Sequence, residues 1–324
     1  MIDLSNGHSF EFMTASGALA FDGRGWWWDW PFVWTNRLDT SLFTKVIKSL
    51  TRHEKEGNRR WYDILGCGCV RFIKDGTINA VGLTNPGISW WMENVAPHVT
   101  REMNLVGSIF GDDKELVEMA RRMDKVALVA LEVNYSCPNT GHMSKDIEPL
   151  VRAVKLVDDA THHPVIIKLS VAQPYVAIVQ ELKGIAEAVS LNSVPASIFF
   201  YDKSVISPLH CLGGGGISGK AAQFWNWKAV EELAADGSLP VIGPSPWCYE
   251  DIGRLFNLRA KAVSFGAVHI PNFWKPWTWR NPTKPTRWVR RWEREKLARD
   301  VKSAEKTAVE LLKVVQKNQI RKEK

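Results

Sequence analysis

The chain has 324 residues, of which 45% are hydrophobic and 24% are charged, and its formal net charge is +7. These proportions are typical of a folded globular protein and exclude wholesale disorder and a fibrous architecture. No run of 18 apolar residues or signal-like N-terminal segment is present, and an odd count of five cysteines does not suit a disulfide framework, so we expect a cytoplasmic protein without a spanning helix.

Short β-branched runs alternate with amphipathic stretches along the chain. The candidate strands are residues 12–15, 43–48, 104–110, 126–135, 164–169, 190–194, 239–243 and 262–266. The candidate helices are residues 112–123, 146–160, 175–189, 221–235 and 250–258. Eight strands alternating with helices predict an α/β fold, a (β/α)8 TIM barrel over residues 1–270, with a doubly wound sheet as the competing interpretation.

The remaining residues, 271–324, are predicted to form a Trp-rich, basic C-terminal extension. Four prolines fall in a Trp-rich loop, and a charged helix is predicted from about residue 287 to about residue 315. The extension carries 16 Lys+Arg against 6 Asp+Glu, whereas the rest of the chain carries 26 against 29. We interpret the helix as a solvated element packed on the barrel; binding to acidic lipid or nucleic acid is the alternative, and we expect no nucleic-acid partner.

The tryptophans are concentrated in two parts of the sequence. The chain has 16, none between Met92 and Phe224, and five lie in the segment from Trp26 to Trp34. This segment follows the first predicted strand and is therefore expected near the mouth of the barrel. We interpret it as a compact aromatic plug, with a lid, a partner surface and a membrane-interface patch as alternatives.

In a (β/α)8 barrel the working residues follow the C-terminal ends of the strands. Those positions carry hydroxyls, lysines, amides, glycines and one thiol, at Ser16, Lys48, Ser49, Asn134, Cys137, Asn139, Lys168, Asn192, Ser193, Gly243 and Gly266. Acidic residues are nearly absent there, which argues against glycoside hydrolysis and against a carboxylate metal site. The set suits an anionic, planar ligand, and we predict no bound metal.

Several short motifs occur in the order in which a known family has them. They are KSLT at 48–51, EGN at 56–58, NAVGLTNPG at 79–87, NYSCPN at 134–139, IKLS at 167–170, NS at 192–193 and GGGISG at 214–219. With these motifs the chain resembles the class 1 dihydroorotate dehydrogenases over roughly residues 12–268. That family folds as an FMN-binding (β/α)8 barrel, which agrees with the strand count.

The resemblance assigns the chemistry to Cys137. In the family this cysteine is the general base that removes the C5 proton of dihydroorotate, while hydride leaves C6 for N5 of the flavin. A thiolate serves as a base near neutral pH where neighbouring cations lower its pKa. The structural alternative is a buried thiol, which the position between Ser136 and Pro138 in a loop after a strand disfavours.

The resemblance further implies two sets of binding residues. Lys48 touches both the substrate carboxylate and the flavin, and Lys168 lies near the N1/O2 edge of the flavin instead of reaching out to solvent. The other substrate-binding residues are Asn79, Gly82, Leu83, Asn134, Asn139, Asn192 and Ser193. The other FMN-binding residues are Ser16, Ser49, Asn134, Gly219, Gly243, Gly266 and Ala267.

The expected phosphate site departs from the family pattern. The family has a Gly-rich turn after the seventh strand, whose backbone N–H groups hold the phosphate. Here the turn is GPSPWCYE at 243–250, whose two prolines remove two N–H donors, and we expect the Ser245 hydroxyl to compensate in part. After the eighth strand, Ala267 follows Gly266 where the family has threonine.

We therefore predict FMN-dependent oxidation of dihydroorotate to orotate in pyrimidine biosynthesis, by a protein expected to form a homodimer. The electron acceptor is left open between fumarate and NAD reached through an iron–sulfur flavoprotein subunit, and a quinone is disfavoured by the cysteine at position 137. Two alternatives are kept: chemistry on another pyrimidine, and an FMN-free barrel acting as a binding or scaffold subunit. Membrane contact through the Trp and basic segments is the less favoured interpretation.

Overall fold

A computed structural model describes residues 1–58, 68–136, 146–201, 205–272, 275 and 278–322, without the side chains of residues 308, 309 and 311–322. Its strands are β1 (Ile2–Asp3), β2 (Ser9–Phe10), β3 (Phe12–Thr14), β4 (Thr44–Val46), β5 (Val70–Ile73), β6 (Gly76–Asn79), β7 (Leu105–Ile109), β8 (Ala130–Asn134), β9 (Val165–Leu169), β10 (Ala188–Leu191), β11 (Val194–Pro195), β12 (Gly216–Gly219), β13 (Val241–Gly243) and β14 (Ala262–Phe265). Its helices are α1 (Trp30–Trp34), α2 (Gly87–Asn94), α3 (Asp113–Met123), α4 (Ile147–Asp158), α5 (Tyr175–Glu181), α6 (Ala196–Phe199), α7 (Gln223–Asp236), α8 (Glu250–Asn257) and α9 (Lys284–Lys322).

Eight of these strands close into a parallel barrel, which confirms the predicted (β/α)8 fold and rules out the doubly wound sheet. The strand order is β3, β4, β7, β8, β9, β10, β13 and β14, and Val263 of β14 pairs with Phe12 of β3 to close the ring. Every residue of β8 and β9 is buried. Continuous burial explains their near-uniform apolar sequences, because strands of such barrels are covered on both faces.

The lower end of the barrel interior is filled by the N-terminal hairpin, a feature that the sequence analysis did not predict. Strands β1 and β2 pair antiparallel, with Ile2 opposite Phe10. Both side chains belong to a buried cluster that includes Met13, Val46 and Ile166 from the barrel strands. The barrel is therefore a packed core at this end, and the C-terminal ends of the strands, where such barrels carry their sites, lie at the opposite one.

A small antiparallel sheet stands over the C-terminal ends of the barrel strands. Its strand order is β11, β12, β6 and β5, and it joins the loop that follows β4 to the loop that follows β10. The pairing of Ile217 with Ile78 and Val194 lies in the middle of this sheet, and all three side chains are fully buried. The sheet brings residues 79 and 216–219 beside the mouth of the barrel.

The predicted junction between the helix over 175–189 and the strand over 190–194 is wrong. The helix predicted over 175–189 ends at Glu181, and Gly184 then adopts a positive φ of 81°, which favours glycine and breaks the helix. The apolar residues that follow belong to β10, which begins at Ala188 rather than at position 190 because it pairs there with Ile166 of β9. An apolar run at a helix–strand junction fits either period, so the pattern placed it in the wrong element.

Helix α9 starts earlier than predicted and packs on the barrel only along its first turns. Pro285, predicted in a loop, lies in the first turn of the helix, where a missing N–H costs no hydrogen bond. Val289 is fully buried in the main core, and Arg290 bonds Asp39 through Nη2 at 2.8 Å. Residues 296–307 are all exposed. Among the helices that the structure describes, none is long and apolar enough to cross a membrane.

Candidate active site at the mouth of the barrel

Hydroxyl groups from the first two barrel strands meet at the mouth. Ser16, just after β3, donates from Oγ to the carbonyl of Ile47 at 2.9 Å, and its Oγ lies 3.0 Å from Oγ of Ser49. The backbone N–H of Ser49 also donates to Ser16 Oγ, at 3.1 Å. Ser49 in turn lies 2.8 Å from the hydroxyl of Ser108 on β7. Three neighbouring strands are thus joined by a continuous line of hydroxyls.

Asn134 connects this line to the next strands. Its Nδ2 donates to Ser49 Oγ at 2.9 Å, and its Oδ1 accepts from Ser136 Oγ at 2.6 Å. Asn192, after β10, donates from Nδ2 to the carbonyl of Ser136 at 3.4 Å. The structure therefore brings Ser16, Ser49, Asn134 and Asn192 together, as the strand-end rule implies. Ser136, which the prediction omitted, is the residue through which two of the amides connect.

A buried carboxylate lies below these amides, and sequence reasoning missed it. Glu132 on β8 accepts hydrogen bonds from Ser108 at 3.1 Å, from Ser190 at 3.2 Å and from Lys168 Nζ at 3.4 Å. Its position in the sequence could have revealed it: Glu132 lies two residues before Asn134, and residues i and i+2 of a strand face the same side. Lys168 does not reach out to solvent; it is buried and ion-paired inside the barrel.

Lys48 lies at the edge of the mouth in a half-buried position. Its backbone N–H donates to the carbonyl of Ala20 at 2.9 Å. Its aliphatic stem packs on Gly17, where an added Cβ would lie 3.3 Å from Lys48 Cγ. Gly17 has a φ of 77°, so both its conformation and its closeness to the lysine favour glycine. The carbonyl of Gly17 accepts a hydrogen bond from Trp26 Nε1 at 2.9 Å.

The Trp-rich segment lies beside Lys48 and is only partly a plug. Trp26 and Trp28 stack, with ring centroids 5.5 Å apart, whereas Trp34 on α1 is 77% exposed. Asp29, at the start of α1, is buried and accepts the backbone N–H of Trp26 at 2.8 Å. Burial raises the pKa of Asp29 to about 7, and the hydrogen bond from Trp26 opposes this only in part.

Several of the predicted substrate-binding residues lie next to the small sheet. Asn79, at the end of β6, donates from Nδ2 to the carbonyl of Gly216 at 3.4 Å. Ser193 packs so closely on Gly216 that an added Cβ there would lie 2.2 Å from Ser193 Oγ. Gly82 and Leu83 both have positive φ, of 71° and 60°, in the turn after this strand. Asn192 and Ser193 are adjacent in the chain, which joins this group to Asn134.

The predicted phosphate end has a different character. Gly243 and Gly266 end their strands against apolar groups, because an added Cβ would lie 2.8 Å from Leu255 Cδ2 and 3.1 Å from Ala15 Cβ respectively. Ala267 opens a short 3-10 turn that ends at His269. Gly219, expected against the flavin, lies under the ring of Trp247, whose Cζ3 would be 2.7 Å from an added Cβ.

In the turn over residues 243–250, which was expected to bind the phosphate, two backbone N–H groups already donate to a carboxylate. Asp251 accepts from the N–H of Trp247 at 2.8 Å and from the N–H of Cys248 at 3.1 Å. Burial, followed by the negative charge of Asp251, raises the pKa of the Cys248 thiol. Ser245, the residue expected to compensate for the prolines, accepts a hydrogen bond from Asn226 Nδ2 at its hydroxyl.

The residues expected to bind the flavin ring fit that group, whereas the turn expected to bind the phosphate does not. Two lysines, hydroxyls and amides suit an anionic, planar ring. The turn expected to bind phosphate has lost the N–H of Pro246 and presents a carboxylate to two others. Cys137 and Asn139 lie outside the residues that the structure describes.

The closed (β/α)8 barrel and the polar residues at its mouth place this protein in the class of (β/α)8-barrel enzymes, whose active sites lie at the C-terminal ends of the strands. A model of the dihydroorotate dehydrogenase family matches residues 34–244. The chain belongs to this family of oxidoreductases, which act on CH–CH donors and typically use FMN.

Similar proteins come from both class 1 types. Dihydroorotate dehydrogenase A (fumarate) of Lactobacillus delbrueckii subsp. bulgaricus is 28% identical over 287 residues, which cover 83% of this chain and 85% of that protein. The catalytic subunit of dihydroorotate dehydrogenase B (NAD(+)) of Thermoanaerobacter pseudethanolicus is 31% identical over 272 residues, covering 80% and 84%. The corresponding subunit of Thermodesulfovibrio yellowstonii is 31% identical over 243 residues, covering 70% and 76%. These matches confirm the resemblance to class 1 enzymes.

Proposed function

We propose that this chain oxidises dihydroorotate to orotate in pyrimidine biosynthesis, with FMN as its cofactor. The observation that carries the proposal is the hydrogen-bonded line from Ser16 through Ser49 to Asn134, with the buried pair of Lys168 and Glu132 beneath it. It offers hydroxyl and amide groups for a ring with alternating donors and acceptors. Membership of the family supplies the reaction class.

The chain's own residues would hold the substrate and move one proton. Lys48 would bind the substrate carboxylate, while Asn79, Asn134, Asn139 and Asn192 would bind the edge of the pyrimidine ring. Cys137 would take the C5 proton as the general base. The C6 hydrogen would leave as hydride, for which the flavin supplies the acceptor.

The contacts of Ser136 hold the backbone directly before the proposed base, Cys137. Ser136 is buried, and its hydroxyl donates to Asn134 at 2.6 Å, so the chain is held up to the residue before Cys137. A base that removes a proton from a bound ring needs a fixed distance to it. Fixing of the preceding residue by a ligand-binding amide would link substrate binding to the position of the base.

The proposed electron acceptor is one of two. Fumarate would be reduced by a homodimer of this chain, and NAD would be reduced through an iron–sulfur flavoprotein subunit. Relatives of both kinds are similar to this chain, named for fumarate and for NAD(+) respectively. Steady-state assays with fumarate alone, and with NAD in the presence and absence of co-purified subunits, decide between the two. A cytoplasmic location accompanies either proposal.

The test of the proposed function is a visible spectrum of the full-length protein, followed by anaerobic addition of dihydroorotate. We expect a flavin band that bleaches in the wild type and is retained without bleaching in Cys137→Ala. A band that dihydroorotate leaves unchanged in the wild type would move the assignment to another pyrimidine. A protein that takes up no flavin would favour a binding or scaffold subunit.

A further inference from the structure

The turn between β13 and α8 is closed from within by one carboxylate. Oδ2 of Asp251 accepts the N–H of Trp247 at 2.8 Å and the N–H of Cys248 at 3.1 Å. The two prolines of the turn, Pro244 and Pro246, have no N–H to offer. The N–H groups of Trp247 and Cys248, directly after the second proline, therefore donate to an acidic side chain of the same chain.

This carboxylate is held in place and does not behave as a mobile surface group. Asp251 is 2% exposed, and its Oδ2 also accepts from Gln223 Nε2 at 2.9 Å. Its Oδ1 lies 3.1 Å from Nη1 of Arg254. Both oxygens of this buried carboxylate therefore accept hydrogen bonds from the protein itself.

Three side chains of α7 fix the rest of the turn. Gln223 donates from Nε2 to the carbonyl of Ser245 at 2.9 Å, and Trp227 donates from Nε1 to the carbonyl of Pro244 at 3.0 Å. Asn226 donates to the hydroxyl of Ser245 at 3.2 Å. Two carbonyls and one hydroxyl of the turn are thus held by side chains of α7.

A phosphate at this turn would meet two unfavourable conditions. It would have to displace Asp251 from the N–H groups of Trp247 and Cys248, and it would carry negative charge close to that carboxylate. N–H groups at the start of a helix attract phosphate only while they are available to it. Like charges in a partly buried place repel more strongly than in water.

We propose that Asp251 takes the place of the flavin phosphate, so that this pocket binds the ring and ribityl chain of a flavin without selecting the phosphorylated form. The inference rests on the flavin site of the proposed function and adds its ligand specificity. Asp251 is then a specificity-determining residue, and FMN binds with its phosphate outside this turn and with an affinity similar to that of riboflavin. Affinity comes from the mouth residues on the other side of the barrel.

The test is an equilibrium titration of the full-length protein with FMN and with riboflavin, followed by flavin fluorescence. We expect wild-type dissociation constants that agree within a factor of about three, a difference below the tenfold that 1.4 kcal/mol produces. Asp251→Ala, which releases both N–H groups, should bind FMN about tenfold more tightly and riboflavin unchanged, because charge-assisted hydrogen bonds contribute on this scale. Asp251→Asn keeps a neutral acceptor and should gain less.

The matched control is Glu250→Gln, which removes an exposed negative charge from the neighbouring position without freeing either N–H. It should leave the ratio of the two affinities unchanged. A wild-type protein that binds FMN at least a hundredfold more tightly than riboflavin overturns the inference, as does an Asp251→Ala variant that folds but gains no preference for FMN.

If neither flavin binds, the proposed function fails, and inorganic phosphate then decides the inference. Thermal unfolding with phosphate, against chloride of equal ionic strength, should stabilise Asp251→Ala and leave the wild type unchanged. Stabilisation of the wild type by phosphate, or no stabilisation of a folded Asp251→Ala, would each contradict the role given to Asp251.

Discussion

Nζ of Lys168 lies 3.4 Å from Oε1 of Glu132 inside the barrel, where the two side chains are 7% and 2% exposed. They come from adjacent strands, β9 and β8. Ser108 and Ser190 donate to the two oxygens of the same carboxylate, so Glu132 is satisfied without a ligand. This explains how a lysine can occupy a buried strand position before any flavin or substrate is bound.

Removing the charge of Glu132 should destabilise the fold. Glu132→Gln leaves the Lys168 ammonium buried beside a neutral group, and breaking a buried ion pair costs about 3 kcal/mol of unfolding free energy. Urea denaturation measures the loss. The control is Asp113→Asn, which breaks the exposed pair with Arg152 and should cost less than about 1 kcal/mol. Equal losses for the two variants would contradict a charged pair in the barrel.

Asp29 should make stability depend on pH near neutrality. Its pKa is raised from 3.8 to about 7 in the folded protein, so between these values the folded state binds more protons than the unfolded chain. Stability should therefore fall as pH rises through this window, by on the order of 4 kcal/mol at most. Unfolding free energies at pH 5 and pH 8 measure the effect.

The variant Asp29→Asn provides the comparison. Asparagine can still accept the N–H of Trp26 but has no proton to lose, so its stability should change less between the two pH values. It should exceed the wild type at pH 8 and approach it at pH 5. The same slope in both proteins would assign the pH dependence to other groups.

Gly216 should not tolerate a side chain. An added Cβ would lie 2.2 Å from Ser193 Oγ and 2.9 Å from Ser193 Cβ, so Gly216→Ala should cost about 1 to 3 kcal/mol through overpacking. Substituting both residues, as Gly216→Ala with Ser193→Gly, should recover most of this loss. A double-mutant cycle by urea denaturation tests it, and additive effects would show that the two positions do not touch.

Gly253 should respond in the opposite direction. It lies within α8, its φ is not positive, and an added Cβ would meet only Trp292 Cζ3, at an ordinary contact distance of 3.8 Å. Gly253→Ala should therefore stabilise the protein by about 0.5 to 1 kcal/mol, because glycine loses more freedom inside a helix. A rise in the urea midpoint is expected; a fall would mean that Trp292 packs more tightly than this distance indicates.

The barrel could be predicted from the sequence because its strands are short, apolar and separated by periodic helices. Strands 165–169 and 262–265 lie within the predicted ranges 164–169 and 262–266. The N-terminal hairpin was missed because two-residue strands have no period to detect. The helix predicted over 175–189 was too long because the strand that follows is also apolar.

The candidate site was predictable only where strand ends carry polar residues. Ser16, Ser49, Asn134 and Asn192 follow that rule, and the structure joins them. Glu132 was missed because it lies inside a strand and not at its end. The two prolines showed in the sequence that the phosphate turn is altered. The hydrogen bond from the N–H of Trp247 to Asp251 could not be predicted, because it depends on the backbone conformation of the turn and not on the spacing of the residues.

The ring of Trp247 packs against Gly219, at the border between the altered turn and the mouth of the barrel. Indole emission overlaps flavin absorption, so a flavin bound near this ring would quench the fluorescence of Trp247 by energy transfer. Trp247→Phe removes one of 16 indoles, and the emission lost with it can be compared with and without ligand. The quenching of Trp247 fluorescence would therefore measure the distance between a bound flavin and the turn, and not merely whether the flavin has bound.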